Sequence, residues 1–127
     1  MTSQTEANKA LIGEFLKRIF KDRDPQRAAE LITDRYIQHD PEMPTGKAGF
    51  LQKLPGLFIE FPDLHAEVKH MWADGDDVIV YSFYRFTPQD RGATVVDIFR
   101  IQDGRIDEHW GVAREIPAQM ANDNGMF

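Results

Sequence analysis

The hydrophobic period of this chain changes once, at Pro62, and that change limits what it can fold into. Before Pro62 apolar residues recur at helical spacing, and after it they alternate as in half-buried strands. From Glu6 to Lys21 they fall at Leu11, Ile12, Phe15, Leu16, Ile19 and Phe20, one face of an amphipathic helix. Asp24-Pro25 supplies a cap and a first-turn proline for a short second helix through Ala28, Leu31 and Ile32, ending before Tyr36. Tyr36 to Pro41 reads as a brief extended segment leading into a loop. Thr45 can cap a third helix from about Lys47 to Phe61, with a kink or break at Pro55.

Beyond Pro62 the pattern predicts four strands: His65 to Trp72, Val78 to Phe86, Thr94 to Ile101 and Arg105 to Ala113. The pairs are joined at Ala73-Asp74-Gly75-Asp76 and Gln102-Asp103-Gly104, with Pro88 to Gly92 between the hairpins. Helices followed by antiparallel strands describe an α+β domain with the helices on one face of the sheet. At 127 residues the chain has room for one such domain with a real core, so residues 1–127 are read as a single domain. The stretch from Ile116 to Phe127 lacks periodicity and is expected to pack loosely or to contact a partner.

Charge narrows the function classes. A net charge of -6 argues against a phosphate-neutralising surface, so neither nucleic acid nor an anionic membrane is an expected partner. No apolar run approaches the roughly 20 residues of a membrane span, and Met1 to Glu6 does not read as a secretory leader. The expected location is therefore cytoplasmic. With no cysteine, thiol nucleophiles, disulfides and thiolate zinc sites are absent from the chain. Gly46-Lys47-Ala48-Gly49 lacks the spacing of a phosphate loop, and no G-x-S-x-G elbow occurs.

Asp97 is the first candidate for chemistry. Alternation places it in a row with Val95, Phe99 and Ile101, and a carboxylate in an apolar row must find a partner or favour its protonated form. Two hairpin registers are open. A two-residue Asp-Gly turn sets Asp97 opposite Trp110, whereas a three-residue loop with a glycine bulge sets it opposite His109. The second is preferred because it gathers Asp97, His109 and Gly111 on one face and Val96, Ile98, Trp110 and Val112 on the other. An Asp beside a His at an apolar cavity suits acid/base work, although a plain cross-strand hydrogen bond would use the same pair. His39, at the end of its short segment, can reach a pocket mouth or simply cap its loop. His39, Asp97 and His109 also match the ligand types of a facial iron triad, with no spacing that specifies coordination. His65 and His70 are expected on opposite faces of their strand and exposed. The aromatics, Trp72 and Trp110 among them, suit a core, and on a concave face they would define an apolar ligand.

Tyr36-Ile37-Gln38-His39, Phe61-Pro62-Asp63-Leu64-His65, Gly75-Asp76 and Asp97 through Trp110 together resemble the SnoaL-like polyketide cyclase family, of the nuclear transport factor 2-like fold. The resemblance spans nearly the whole chain, and Ala121 to Phe127 is similar to the tail of a branch predicted to catalyse aldol condensation. It implies a cone of curved sheet and three helices around an apolar pocket. It also implies a homodimer through the outer sheet face and no metal or organic cofactor. The implied activity is general acid/base catalysis of an aldol, cyclase or isomerase type on a small, largely apolar carbonyl compound. The site expected here has Asp97 as general base, His109 as its partner or a proton donor and His39 orienting a substrate oxygen at the mouth, with Tyr36, Trp72, Phe99 and Gly111 as pocket lining. The family's strand pairing agrees with the preferred register. In its cyclases the position matching Gly111 is the working aspartate and the position matching Asp97 is a helper histidine. This chain departs at both, so Asp97 with His109 would replace that pair, and a binding module that has lost the chemistry is the alternative.

Overall fold

The computed structural model describes residues 3–127. Helix α1, Gln4–Leu16, opens with Ser3 accepting the Glu6 amide at 3.2 Å and runs on into a π-helical turn, Lys17–Lys21. Helix α2 is Pro25–Ala29, capped by Asp24, which accepts the Arg27 amide as its sequence predicts. Strand β1, Ile32–Gln38, follows, then helix α3, Gly46–Glu60, and strands β2, His65–Asp74, β3, Asp77–Arg85, β4, Ala93–Gln102, and β5, Arg105–Glu115. The fold is α+β, with helices against a five-stranded sheet ordered β1-β5-β4-β3-β2. Among the described residues no helix is long and apolar enough to cross a membrane.

Three expectations change here. The second helix stops at Ala29, and Ile32, expected in it, begins a fifth strand that pairs with β5 in parallel. Its alternation is masked because Asp34 and Arg35 interrupt the apolar pattern between buried Ile32 and Tyr36. Helix α3 runs unbroken through Pro55, held by Phe50 and Leu54 in the core. Thr45 does not cap it with its side chain. The hydroxyl instead accepts the Gln38 amide at 3.0 Å and donates to the Tyr36 carbonyl at 3.3 Å, tying the loop back to β1.

Ile12, Phe15 and Ile19 meet Phe50 and Leu54 of α3 above Val78, Val80, Phe99, Ile101 and Ile106 of the sheet. The opposite face carries Trp72 and Val112, both more than half exposed. The C-terminal residues return across it: Tyr81 donates its hydroxyl to the Met126 carbonyl, and Phe127 packs on Tyr81 and Phe83.

Bulges decide which side chains face the core. The β4-β5 hairpin takes neither predicted register. It has a two-residue turn, Asp103-Gly104, both at positive φ, plus one extra residue, Asp107, between the pairs Ile101↔Ile106 and Arg100↔Glu108. Asp97 therefore stands opposite Gly111, with His109 opposite Phe99. The face grouping is nonetheless the expected one, because one added residue changes the parity back. In β2 the register shifts between Val68 and His70, so Trp72 pairs with Ile79 and faces outward. The same shift puts His65 and His70 on one face, opposite Arg85 and Tyr81; both are exposed.

Asp107 is only 2% exposed and is held by charge. Thr33 donates to it at 2.8 Å, Arg35 chelates both oxygens, and Arg100 donates at 3.0 Å. The Arg35 hydrogen bonds hold its carboxyl well below the usual carboxylate range, against the opposing effect of burial.

A group whose folded pKa is depressed stabilises above its unfolded value, about 3.9, and loses that contribution as pH falls through the folded value. Asp107→Asn is expected to cost about 2 kcal/mol at pH 7 by urea denaturation, and its deficit should shrink below about pH 4. Gly92 sits at φ +92, where an added Cβ would lie 2.4 Å from Phe83 and 2.7 Å from the Tyr84 carbonyl. Gly92→Ala should lower stability by about 3 kcal/mol, against about 1 for Gly75→Ala, whose Cβ would meet open space.

Candidate active site

Asp97 points from the middle of β4 toward the helices, 7% exposed, and its Oδ1 lies 2.8 Å from His109 Nε2. His109 reaches it diagonally across the ladder from β5. Gly111 stands directly opposite Asp97, and the absence of a side chain there leaves room for the contact. A Cβ at Gly111 would lie 3.3 Å from His109 Cε1 and 3.4 Å from Asp97 Oδ1. The other imidazole nitrogen, Nδ1, lies 2.7 Å from Gln38 Oε1 at the end of β1. Tyr84, on β3, donates its hydroxyl to Asp97 Oδ2 at 3.5 Å.

These groups line one end of a cavity of about 620 Å³. Phe15, Leu54, Phe61, Phe86 and Phe99 form much of its wall, so the lining is mainly apolar, and Asp40, Glu42, Lys53 and Glu60 add charge. The π-helical turn shapes another wall by carrying Phe20 to 5.3 Å from the Tyr84 ring, edge to face. A second cavity, about 470 Å³, shares Leu16, Phe20 and Tyr84 as walls. Burial raises the Tyr84 hydroxyl well above its ordinary pKa, with the Asp97 charge and the Asp97 hydrogen bond adding to it. Burial, then Asp97, does the same to Tyr36. Both phenols remain O–H donors around one buried carboxylate.

Of the residues singled out in the sequence, Asp97, His109, Tyr36, Phe99 and Gly111 meet at this cavity. His39 does not. Its Nε2 lies 2.6 Å from Glu108 Oε2, and its ring stacks on Trp110 at 4.9 Å, on the outer face of β5. Gln38 and His39 are neighbours in an extended segment, so when Gln38 turns inward His39 must turn out. The same geometry separates His39 from the other two members of the suggested metal triad. Among the described residues no group of three or more His, Cys, Asp or Glu side chains is arranged to hold a metal ion. Trp72 is also away from the cavity, stacked on His70 at 5.3 Å, because the β2 bulge turned it outward.

Sequence reading passed over Gln38 and Tyr84. Tyr84 was visible only as one aromatic of an alternating strand. Gln38 lay in a segment whose strand character was hidden, and its inward facing follows from pairing with His109 in the parallel β1-β5 ladder.

The sequence pattern of the SnoaL-like polyketide cyclase family matches residues 10–119. No curated protein sequence matches the chain. Among solved structures, an NTF2-like protein of unknown function from Mesorhizobium loti superimposes with a TM-score of 0.73 at 21% identity, over 90% of this chain and 96% of that one. A candidate ketosteroid isomerase from Kribbella flavida gives 0.77 at 19% identity, over 94% and 87%. A candidate polyketide cyclase from Bacillus cereus gives 0.72 at 20%, over 88% and 78%. At these identities the likeness establishes the nuclear transport factor 2-like fold.

Proposed function

The chain belongs to the SnoaL-like polyketide cyclase family, and from that premise we propose that it is an acid/base lyase or isomerase of the aldol or cyclase type, working without a cofactor on a small, largely apolar carbonyl compound. The observation that carries this reading is a buried carboxylate, Asp97, at the end of an apolar cavity and in contact with the His109 imidazole and the Tyr84 hydroxyl. A volume near 620 Å³ suits a compact ligand, and the aromatic walls suit an apolar one. The names of the cyclase and isomerase neighbours point the same way.

Asp97 removes a proton from the carbon next to the substrate carbonyl, and the C–H electrons pass into an enolate. Tyr84, kept protonated by burial, would turn its O–H from Asp97 Oδ2 to the developing oxyanion as Oδ2 takes the proton. His109 holds Asp97 in place through Oδ1 and leaves Oδ2 for the substrate side. Return of the proton from Asp97 to a different carbon of the delocalised enolate completes an isomerisation; in an aldol step the enolate carbon bonds to a second carbonyl, and the alkoxide formed there takes the proton from Asp97. The proton transfer would supply about 10² to 10⁴-fold, and positioning in a dry cavity more. The outward apolar residues Trp72 and Val112 support a homodimer through the outer sheet face. A second reading, a small-molecule binding module, is favoured by one observation: Gly111 stands where the family's cyclases carry their acid.

Deuterium exchange of α-protons separates the two. With a panel of small cyclic and aromatic ketones in D₂O, the wild type should accelerate exchange, and Asp97→Asn should slow it by about 10²-fold or more while ketone affinity stays within about threefold. Ketones that bind, perturb the cavity resonances and exchange only at the solvent rate would leave the cavity as a binding site.

A further inference from the structure

The hydrogen bonds around Gln38 determine where the protons of His109 reside. Gln38 Oε1 accepts the backbone N–H of Asp40 at 3.0 Å and lies 2.7 Å from His109 Nδ1. A backbone N–H can only donate, so the amide atom turned toward Asp40 is the carbonyl oxygen; the flipped amide would set N–H against N–H. An oxygen with lone pairs alone can meet Nδ1 only if Nδ1 carries a hydrogen. The neutral ring would then present a bare lone pair at Nε2, and Nε2 stands 2.8 Å from Asp97 Oδ1. Two lone pairs repel at that distance, so the contact contains a second proton.

We propose that Gln38 is a positioning residue that fixes His109 as the Nδ1–H form and thereby loads the His109-Asp97 pair with one shared proton. The pair is either imidazolium with carboxylate or imidazole with carboxylic acid, and in both forms its net charge is zero. The inference rests on the acid/base reading for its use. In the imidazolium form, Oδ2 receives the substrate's α-proton while the C–H electrons form the enolate, and His109 keeps both hydrogens. Giving that proton back to carbon restores the starting pair.

The supports of Gln38 are rigid. Its own amide is held by Thr45 Oγ1 at 3.0 Å, and it pairs with His109 along the parallel ladder, where the next N–H, that of His39, donates to the His109 carbonyl at 3.0 Å. The imidazole lies between the rings of Tyr36, stacked at 6.5 Å, and Phe99 at 4.9 Å. The polar and charged groups around it are Asp97 from β4, Tyr84 from β3, and Tyr36 with the following Asp40 from the β1 side. Glu42, Lys53 and Glu60 line the same cavity further along, and α1 with its π-helical turn contributes the apolar Phe15, Leu16, Ile19 and Phe20.

The test is the ¹⁵N spectrum of the His109 ring across pH, in wild type, Gln38→Leu and Gln38→Glu. In wild type the hydrogen that remains after the pair loses its shared proton should be on Nδ1. Gln38→Leu removes the acceptor, so the neutral ring should invert to Nε2–H donating to Asp97. Gln38→Glu keeps an acceptor and should restore Nδ1–H. A neutral wild-type ring protonated on Nε2 would overturn the proposal, as would a Leu variant with an unchanged nitrogen pattern. If the Leu variant fails to fold, the wild-type assignment alone decides. No substrate enters this readout. Nδ1–H without α-proton exchange would therefore sink catalysis and keep the pair, and exchange with Nε2–H would do the reverse.

Discussion

A single carboxylate, Asp107, governs how the last two strands face. Turns of two residues, such as Asp103-Gly104, lock a hairpin into strict alternation, and strict alternation would have set Asp97 opposite Trp110. Inserting Asp107 reverses the parity of everything after it in β5. His109 and Gly111 turn toward the helices, and Glu108 and Trp110 turn out. An extra residue with a charged side chain would be costly if it were unpaired, and here Arg35, Arg100 and Thr33 satisfy it. Arg35 and Thr33 lie on β1, so the ion pairs that hold the bulge also secure the parallel strand that brings Gln38 beside His109.

The site is then a consequence of three strands agreeing on a face. β4 supplies the carboxylate, β5 the imidazole and an open position at Gly111, and β1 the amide that orients the ring. Helices α1 and α3 close the apolar end of the cavity, so the carboxylate sits where water has little access and electrostatic effects are strong. Gly111 leaves room for the contact between Asp97 and His109, since a side chain there would press on both.

Much of this was legible in the residues. Helical spacing located α1 and α3, alternation located β2 to β5 within two residues, and the apolar row of Val95, Phe99 and Ile101 marked Asp97 as an inward-facing acid. Strand β1 escaped because its central residues, Thr33 to Arg35, are polar. They are polar for a reason invisible locally: Thr33 and Arg35 are partners of Asp107, more than seventy residues away in sequence. Trp72 was misplaced because a bulge in β2 precedes it, and a shift of one residue moves a side chain through the sheet, whereas His39 follows inward-facing Gln38 in extended chain and so turns out.

The sequence by itself determined the class of the fold, the family, the inward row of the sheet and the identity of the buried acid. These follow from periodicity and local residue type, which act within a few residues of chain. That His109 meets the acid diagonally rather than from the directly opposite position, which glutamine orients the histidine, and which aromatic rings face the cavity were decided by the tertiary structure. Bulges and parallel pairing depend on contacts between distant residues, and no local pattern records them.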